Sequence, residues 1–197
     1  RERTEYFFMA DGTLGARDCG FAIVHADRRF TVDDVIFGWP GDTAILGARS
    51  QDLLILADEL RPLCHNVEIC TDDGSAGFKG FVTQRLAQLI AGDGPGRPDT
   101  VLAIGPMVMM RAVAELTRGP AIKTIVSMDP LMIDGTGMCG GCRVTVGGTA
   151  RFACVDGPCF DAHEVDFEVA MRRSKQYVRE EKLARERLTC AVPAGVR

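Results

Sequence analysis

The chain has 197 residues, 46% hydrophobic and 25% charged, with a formal net charge of −4. That composition excludes a disordered chain and leaves room for one sizeable domain plus a small appendage. The mildly acidic balance gives no footing for nucleic acid or an anionic membrane, and no apolar run approaches the roughly 20 residues of a membrane span. The opening residues, RERTEYFFMADG, lack the apolar stretch of a signal peptide, so a cytoplasmic address is expected.

In chain order, residues 1–43 are the hardest to assign. FAIV (Phe21–Val24) and VIF (Val35–Phe37) read as strands and RRFTVDD as a turn, but nothing places them in a sheet. From Thr43 the pattern becomes regular. TAIL (Thr43–Leu46), VEIC (Val67–Cys70), TVLAI (Thr100–Ile104) and IKTIVS (Ile122–Ser127) are short apolar runs that read as buried strands. Between them, Asp52–Leu60, Phe81–Ala91 and Val108–Arg118 read as helices; the acidic start of the first suits a helix N-terminus. This alternation implies an α/β fold, a parallel sheet with helices on both faces.

Past residue 128 glycine and cysteine replace the long apolar runs. Arg143–Val146 (RVTV) and Arg151–Val155 (RFACV) read as a hairpin turning at Gly147, Gly148, Thr149 and Ala150. From Glu164 to Leu188 the chain reads as a charged helix, its basic run a solvated face. The expected organisation is residues 1–43 unassigned, 44–128 a nucleotide-binding unit, 129–163 a cysteine segment and 164–197 a charged helix and tail.

Four of the eight cysteines, Cys19, Cys64, Cys70 and Cys190, are scattered singly and read as small buried residues. The others fall within 21 residues, and in a reducing compartment such clustering points to ligation rather than to disulfides. Cys139-Gly-Gly-Cys142 lets both sulfurs turn toward one centre while glycine amides face it. Cys154 lies beyond eleven intervening residues, brought back by the hairpin. A fourth ligand has two candidates. Cys159 completes C-x2-C-x11-C-x4-C, a zinc-ribbon-like set of four thiolates. Asp134 completes D-x4-C-x2-C-x11-C, which echoes the plant-type spacing for a 2Fe–2S cluster. Spacing alone does not separate zinc from iron–sulfur.

Gly47, Asp72, Gly74, Gly105 and Pro106 stand at strand C-terminal ends, where open α/β sheets bind ligands. Arg49 and Lys79 are cations near the same loops, placed to meet a phosphate or simply to face solvent. Met107, Met109 and Met110 read as core filling, and His163 as a capping or surface residue.

The run MIDGTGMCGGCRVTVGGTARFACVDGPCFDAHEVDF resembles the C-terminal segment of the small subunit of NADH-dependent ferredoxin–NADP reductase, a relative of the electron-transfer subunit of dihydroorotate dehydrogenase. Upstream, ILGARSQDLLILADEL, TDDGSAGFKGFVT, AIGPMVMMRAVAELT and IKTIVSMDPLM resemble the nucleotide-binding domain of the same family, a ferredoxin-reductase-like fold. The resemblance covers about residues 44–182. It implies a 2Fe–2S cluster on Asp134, Cys139, Cys142 and Cys154; the dihydroorotate relative has a cysteine in the first place, so Asp134 argues for the ferredoxin–NADP reductase branch. It also implies NAD(P)H, FAD on a preceding barrel, a large flavoprotein/iron–sulfur partner subunit and ferredoxin as redox partner. Neither that barrel nor the glycine-rich turn that cradles pyrophosphate is legible in residues 1–43, which read as a fragmentary, divergent or out-of-frame front. FAD binding and tight nucleotide binding by this chain alone are therefore not expected. The competing expectation is a non-redox module, a zinc-stabilised α/β domain that binds a partner.

Overall fold

The structure, a computed structural model, describes residues 19–25, 43–62, 64–92 and 98–191. Seven strands form one sheet: β1 (Cys19–His25), β2 (Thr43–Ala48), β3 (Asn66–Thr71), β4 (Phe78–Lys79), β5 (Thr100–Ile104), β6 (Lys123–Ser127) and β9 (Cys159–Asp161), in the order β4-β3-β2-β1-β5-β6-β9. A separate hairpin pairs β7 (Arg143–Val146) with β8 (Thr149–Phe152). The helices are α1 (Ala57–Leu60), α2 (Val82–Ala91), α3 (Met107–Arg118), α4 (Ala153–Asp156), α5 (Phe167–Ser174) and α6 (Val178–Ala191).

The strands read from Thr43 onward run parallel, as β2 with β3 and β5 with β6. Their buried residues lie on both faces: Ile45, Val101 and Ala103 on one, Ala44, Leu46 and Leu102 on the other. The apolar runs had no alternation because neither face meets water. β1, which contains the FAIV stretch, occupies the central position and runs antiparallel to both β2 and β5. The VIF stretch lies outside the described residues. β9 adds a second antiparallel strand beyond β6. The sheet is therefore mixed, parallel within residues 43–127 and crossed by antiparallel strands from outside that range.

The two long helices of this part lie on one face. Val82 and Leu86 of α2 and Met110, Val113 and Ala114 of α3 join Ile45, Val101, Ala103 and Val126 in a single core. Gln84 Oε1 accepts from Phe81 N at 3.0 Å and closes the first turn of α2. Glu68 on β3 is gripped by the Arg85 guanidinium of α2 through both carboxylate oxygens. The expected helix over Asp52–Leu60 is broken: a 3₁₀ turn spans Gln51–Leu53 and only Ala57–Leu60 is α-helical. Leu56, at φ 61°, takes the left-handed conformation that interrupts a helix, and neither piece buries a side chain that would hold it. Among the described residues the two long helices share one face of the sheet.

Two further expectations change. β8 ends at Phe152, and Ala153–Asp156 turns into a helix instead of continuing the strand. The C-terminal helix is two helices. α5 starts on Asp166, whose carboxylate accepts from Val169 N, and buries Phe167 and Ala170. α6 exposes every side chain from Arg179 to Arg187, so no packing aligns it with α5. The hairpin turn is tight: Gly147 and Gly148 have φ of 56° and 74°, the paired positive values of a two-residue turn that favours glycine.

Leu86 is fully buried between the sheet and α3. Leu86→Ala is expected to cost about 2–5 kcal/mol in denaturant unfolding, the range for deleting a buried leucine side chain.

Candidate metal centre

β6 delivers the chain to the C-terminal edge of the parallel strands, and the cysteine segment begins there. Met128 is buried, with its amide donating to Pro158 O at 2.9 Å, so the segment leaves and returns at one point on the sheet edge. Asp134 organises the first loop. Its Oδ1 accepts from Thr136 N at 2.9 Å and its Oδ2 from Cys139 N at 2.6 Å. The Thr136 amide first, then that of Cys139, hold this carboxyl below the usual carboxylate range. The ionised side chain therefore lies over the start of the Cys139-Gly-Gly-Cys142 turn. Within that turn Gly141 N donates to Cys139 Sγ at 3.4 Å.

The hairpin brings back the third cysteine. Ala153 N donates to Cys142 O at 3.1 Å, one step below the pairing of Arg143 with Phe152. α4 then begins, its first turn fastened by Asp156 Oδ2 accepting from Phe152 N at 2.7 Å. This swings Cys154 Sγ to 3.1 Å from Cys142 Sγ. The contact with Cys142, then burial, pushes the Cys154 thiol up, and Asp134 is near enough to add to the shift. Cys142 is buried, Cys154 half-buried and Cys139 exposed. Among the described residues no three His, Cys, Asp or Glu side chains are gathered into a set that could hold a metal ion, so the four donors share a locality without a finished coordination shell.

Cys159 is held elsewhere. It lies on β9, paired with Ser127 of β6, and burial pushes its thiol up. The rim of the cysteine segment is apolar and open: Leu131, Ile133, Met138 and Val155 are 55%, 71%, 89% and 56% exposed. Arg173, at the end of α5, donates to Gly141 O at 3.2 Å and Gly140 O at 3.4 Å. It lies in the charged run that reads as solvated, and only its position at a helix end hints at another use.

The residues expected near a nucleotide share this sheet edge. Asp72 N donates to Ala48 O and Asp73 N to Arg49 O, both at 3.1 Å, so the loops after β2 and β3 are zipped together. Ser75 completes the join, accepting from Gln51 N at 2.8 Å and donating its hydroxyl to Asp73 Oδ1 at 2.6 Å. That hydroxyl is the main cause of the lowered Asp73 pKa. Gly47 is the penultimate residue of β2, just before Arg49; Gly74, at φ 80°, lies under the Lys79 side chain; Gly105 and Pro106 lead into α3. The structure brings Arg49, Asp72 and Gly74 into one loop pair and leaves Gly105 and Pro106 across β1 from them.

His163 is half-buried and partnered. Its Nε2 lies 3.1 Å from Thr117 Oγ1, and Thr117 accepts from Thr124 Oγ1 at 2.6 Å. Thr117 and Thr124 are buried, so this network ties α3 and β6 to the chain after β9. Periodicity hides it, because threonines on a helix and a strand carry no mark of partnership.

Residues 129–166 match the model of the iron–sulfur cluster binding domain of dihydroorotate dehydrogenase B. The iron–sulfur match continues upstream in whole-chain comparison. A protein of Clostridium beijerinckii named for its place in the adh 3′ region is 49% identical over 137 residues, 70% of this chain and 46% of its own length. The dihydroorotate dehydrogenase B (NAD(+)) electron transfer subunit homolog of Thermotoga maritima is 45% identical over 145 residues, 74% of this chain and 50% of its own length. A solved structure, from a study of flavin-based electron bifurcation in NADH-dependent reduced ferredoxin-NADP oxidoreductase, is 40% identical with a TM-score of 0.62, covering 75% of this chain and 52% of that one. The chain spans about half the length of the curated relatives it matches. Its mixed sheet is of the ferredoxin-reductase type. Among the described residues no helix is long and apolar enough to cross a membrane.

Thr117→Val keeps the volume and removes the hub of the buried network. It is expected to lower stability by about 1–3 kcal/mol in thermal unfolding, the cost of stranding buried polar partners.

Proposed function

We propose that this chain is the nucleotide-side and cluster-bearing part of an electron-transfer subunit of a flavin/iron–sulfur NAD(P)H oxidoreductase, of the ferredoxin–NADP reductase type. The observation that carries this is the 3.1 Å approach of Cys142 and Cys154 across the hairpin, beside a cysteine turn braced by Asp134. Asp134, Cys139, Cys142 and Cys154 would hold a 2Fe–2S cluster: their donor chemistry suits it, and the Gly141 amide already faces a sulfur. Such a cluster supplies one-electron transfer. The chain's own residues do the rest. Asp134 brings an anionic oxygen to the turn, and α4 positions Cys154. Cys159 is committed to the sheet edge, which favours Asp134 as fourth ligand over a four-thiolate zinc site.

The exposed rim of Leu131, Ile133, Met138 and Val155 suits a protein partner. We assign that partner as a larger flavoprotein/iron–sulfur subunit, with ferredoxin as redox partner of the complex and FAD on a part of the assembly outside residues 44–182. The domain match supports a dihydroorotate dehydrogenase complex equally, and Asp134 inclines the choice toward the reductase branch. Cytoplasmic localisation is part of the proposal.

Nucleotide, if bound, would use Gly47, Arg49, Asp72, Gly74, Gly105 and Pro106. In doubly wound sheets the turn after the central strand presents phosphate-binding amides at this edge. Here β1 holds that position running the other way, so its C-terminal end lies at the opposite edge. Fluorescence titration of this chain with NADH and NADPH should accordingly give Kd values near or above about 1 mM.

The visible spectrum with iron and sulfide assays on anaerobically purified protein tests the central claim. A red-brown protein with matched iron and sulfide is expected; a colourless zinc protein would refute it. Asp134→Ala should bleach or destabilise the cluster, while Cys159→Ser should leave the spectrum unchanged.

A further inference from the structure

We propose that Arg173 is a positioning residue for the cysteine turn: its guanidinium grips the Gly140 and Gly141 carbonyls, turns the intervening amide toward Cys139, and sets a fixed positive charge beside the cluster site. This rests on the iron–sulfur reading of the segment.

In a planar trans peptide the C=O and the following N–H point in opposite directions. A group that holds the Gly140 carbonyl from one side therefore aims the Gly141 N–H to the other. Arg173 Nη2 lies 3.4 Å from Gly140 O, and Gly141 N donates to Cys139 Sγ at 3.4 Å. The Gly141 carbonyl is gripped at 3.2 Å, which orients the next amide, that of Cys142, by the same geometry.

The turn needs such a grip because it is intrinsically loose. Gly140 sits at φ 65°, and glycine has the widest choice of conformations of any residue. Arg173 itself is well placed to hold it. It is half-buried, unlike its exposed neighbour Arg172. It comes from the last turn of α5, a helix anchored by buried Phe167 and Ala170 and packed against both α3 and β7. The grip thus transmits the rigidity of the sheet and hairpin to the Gly140–Gly141 pair of the turn.

Two consequences differ in kind. Amide hydrogen bonds to cluster sulfur and a nearby cation both stabilise the reduced, more negative cluster, so both raise its reduction potential. Fixing the turn also slows loss of the metal, since partners that orient ligands commonly contribute 10–100-fold to retention, on the order seen for other metal sites.

The test uses the full chain purified anaerobically, in wild-type form and as Arg173→Gln, Arg173→Lys and Arg172→Gln. Arg173→Gln is expected to lower the cluster potential and to release iron to a chelator about tenfold faster or more. Arg173→Lys keeps the charge without the planar guanidinium whose Nη2 reaches both carbonyls, so its potential should stay nearer wild type while iron release is still accelerated. Arg172→Gln removes an equal charge from the same helix end and should change neither. A cluster-independent arm follows hydrogen exchange across residues 138–143 on metal-free protein, where Arg173→Gln should exchange faster. Wild-type potential, release and exchange in folded Arg173→Gln would overturn the proposal, as would an equal effect of Arg172→Gln. If circular dichroism shows Arg173→Gln unfolded, Arg173→Lys decides, and wild-type iron release in it refutes the positioning role. Wild-type protein without iron or sulfide would instead sink the cluster reading, leaving the exchange arm to judge the grip alone.

Discussion

The hydrogen bond from Ala153 N to Cys142 O is the contact on which the cysteine segment depends. It clamps the two residues that precede and follow the hairpin, so Cys154, one residue further on, cannot be far from Cys142. The clamp exists only because the hairpin is in register, with Val146 opposite Thr149 across a two-residue glycine turn. A slip of one residue would send the strand side chains to the other face. Buried Val144 and Ala153 hold the register from the core side.

The hairpin is fixed in turn to the larger sheet. Gly147 N donates to Glu164 O and Asp166 N to Thr145 O, both at 2.9 Å, and Val146 bridges Val165. The chain then enters α5, which packs on α3 and carries Arg173 back to the cysteine turn. Below this run, His163, Thr117 and Thr124 fasten the connection to α3 and β6. These contacts are buried or backbone-based and so strongly directional. The exposed ion pair of Arg111 with Glu168, which also joins α3 to α5, adds little by comparison.

One edge of the sheet serves both candidate sites. The loops after β2, β3 and β5 end there, and the chain after β6 leaves from it into the cysteine segment. A nucleotide at the loops and a cluster at the turn would thus share one edge of the sheet. The reversed β1 joins β2 to β5 without completing this edge, since a strand can pair in either direction but can offer its following turn in only one.

Much was legible in the sequence by itself. The apolar runs from Thr43 to Ser127 announced their strands because both faces are buried, and Phe81–Ala91 and Val108–Arg118 announced their helices through spacing. The C-x2-C-x11 spacing, the glycines of the turn and the preceding Asp134 marked a metal segment, because ligand convergence over short loops is a local matter of chain geometry. Other features were decided only in three dimensions. The break at Leu56, the helical turn that positions Cys154, the commitment of Cys159 to β9 and the grip of Arg173 on Gly140 and Gly141 all arise between residues far apart in the chain or from competition for burial. No local pattern encodes them: a charged arginine on a solvated helix and one that orients a cysteine turn have the same letter and the same neighbours, and only the packing of α5 against α3 and β7 tells them apart.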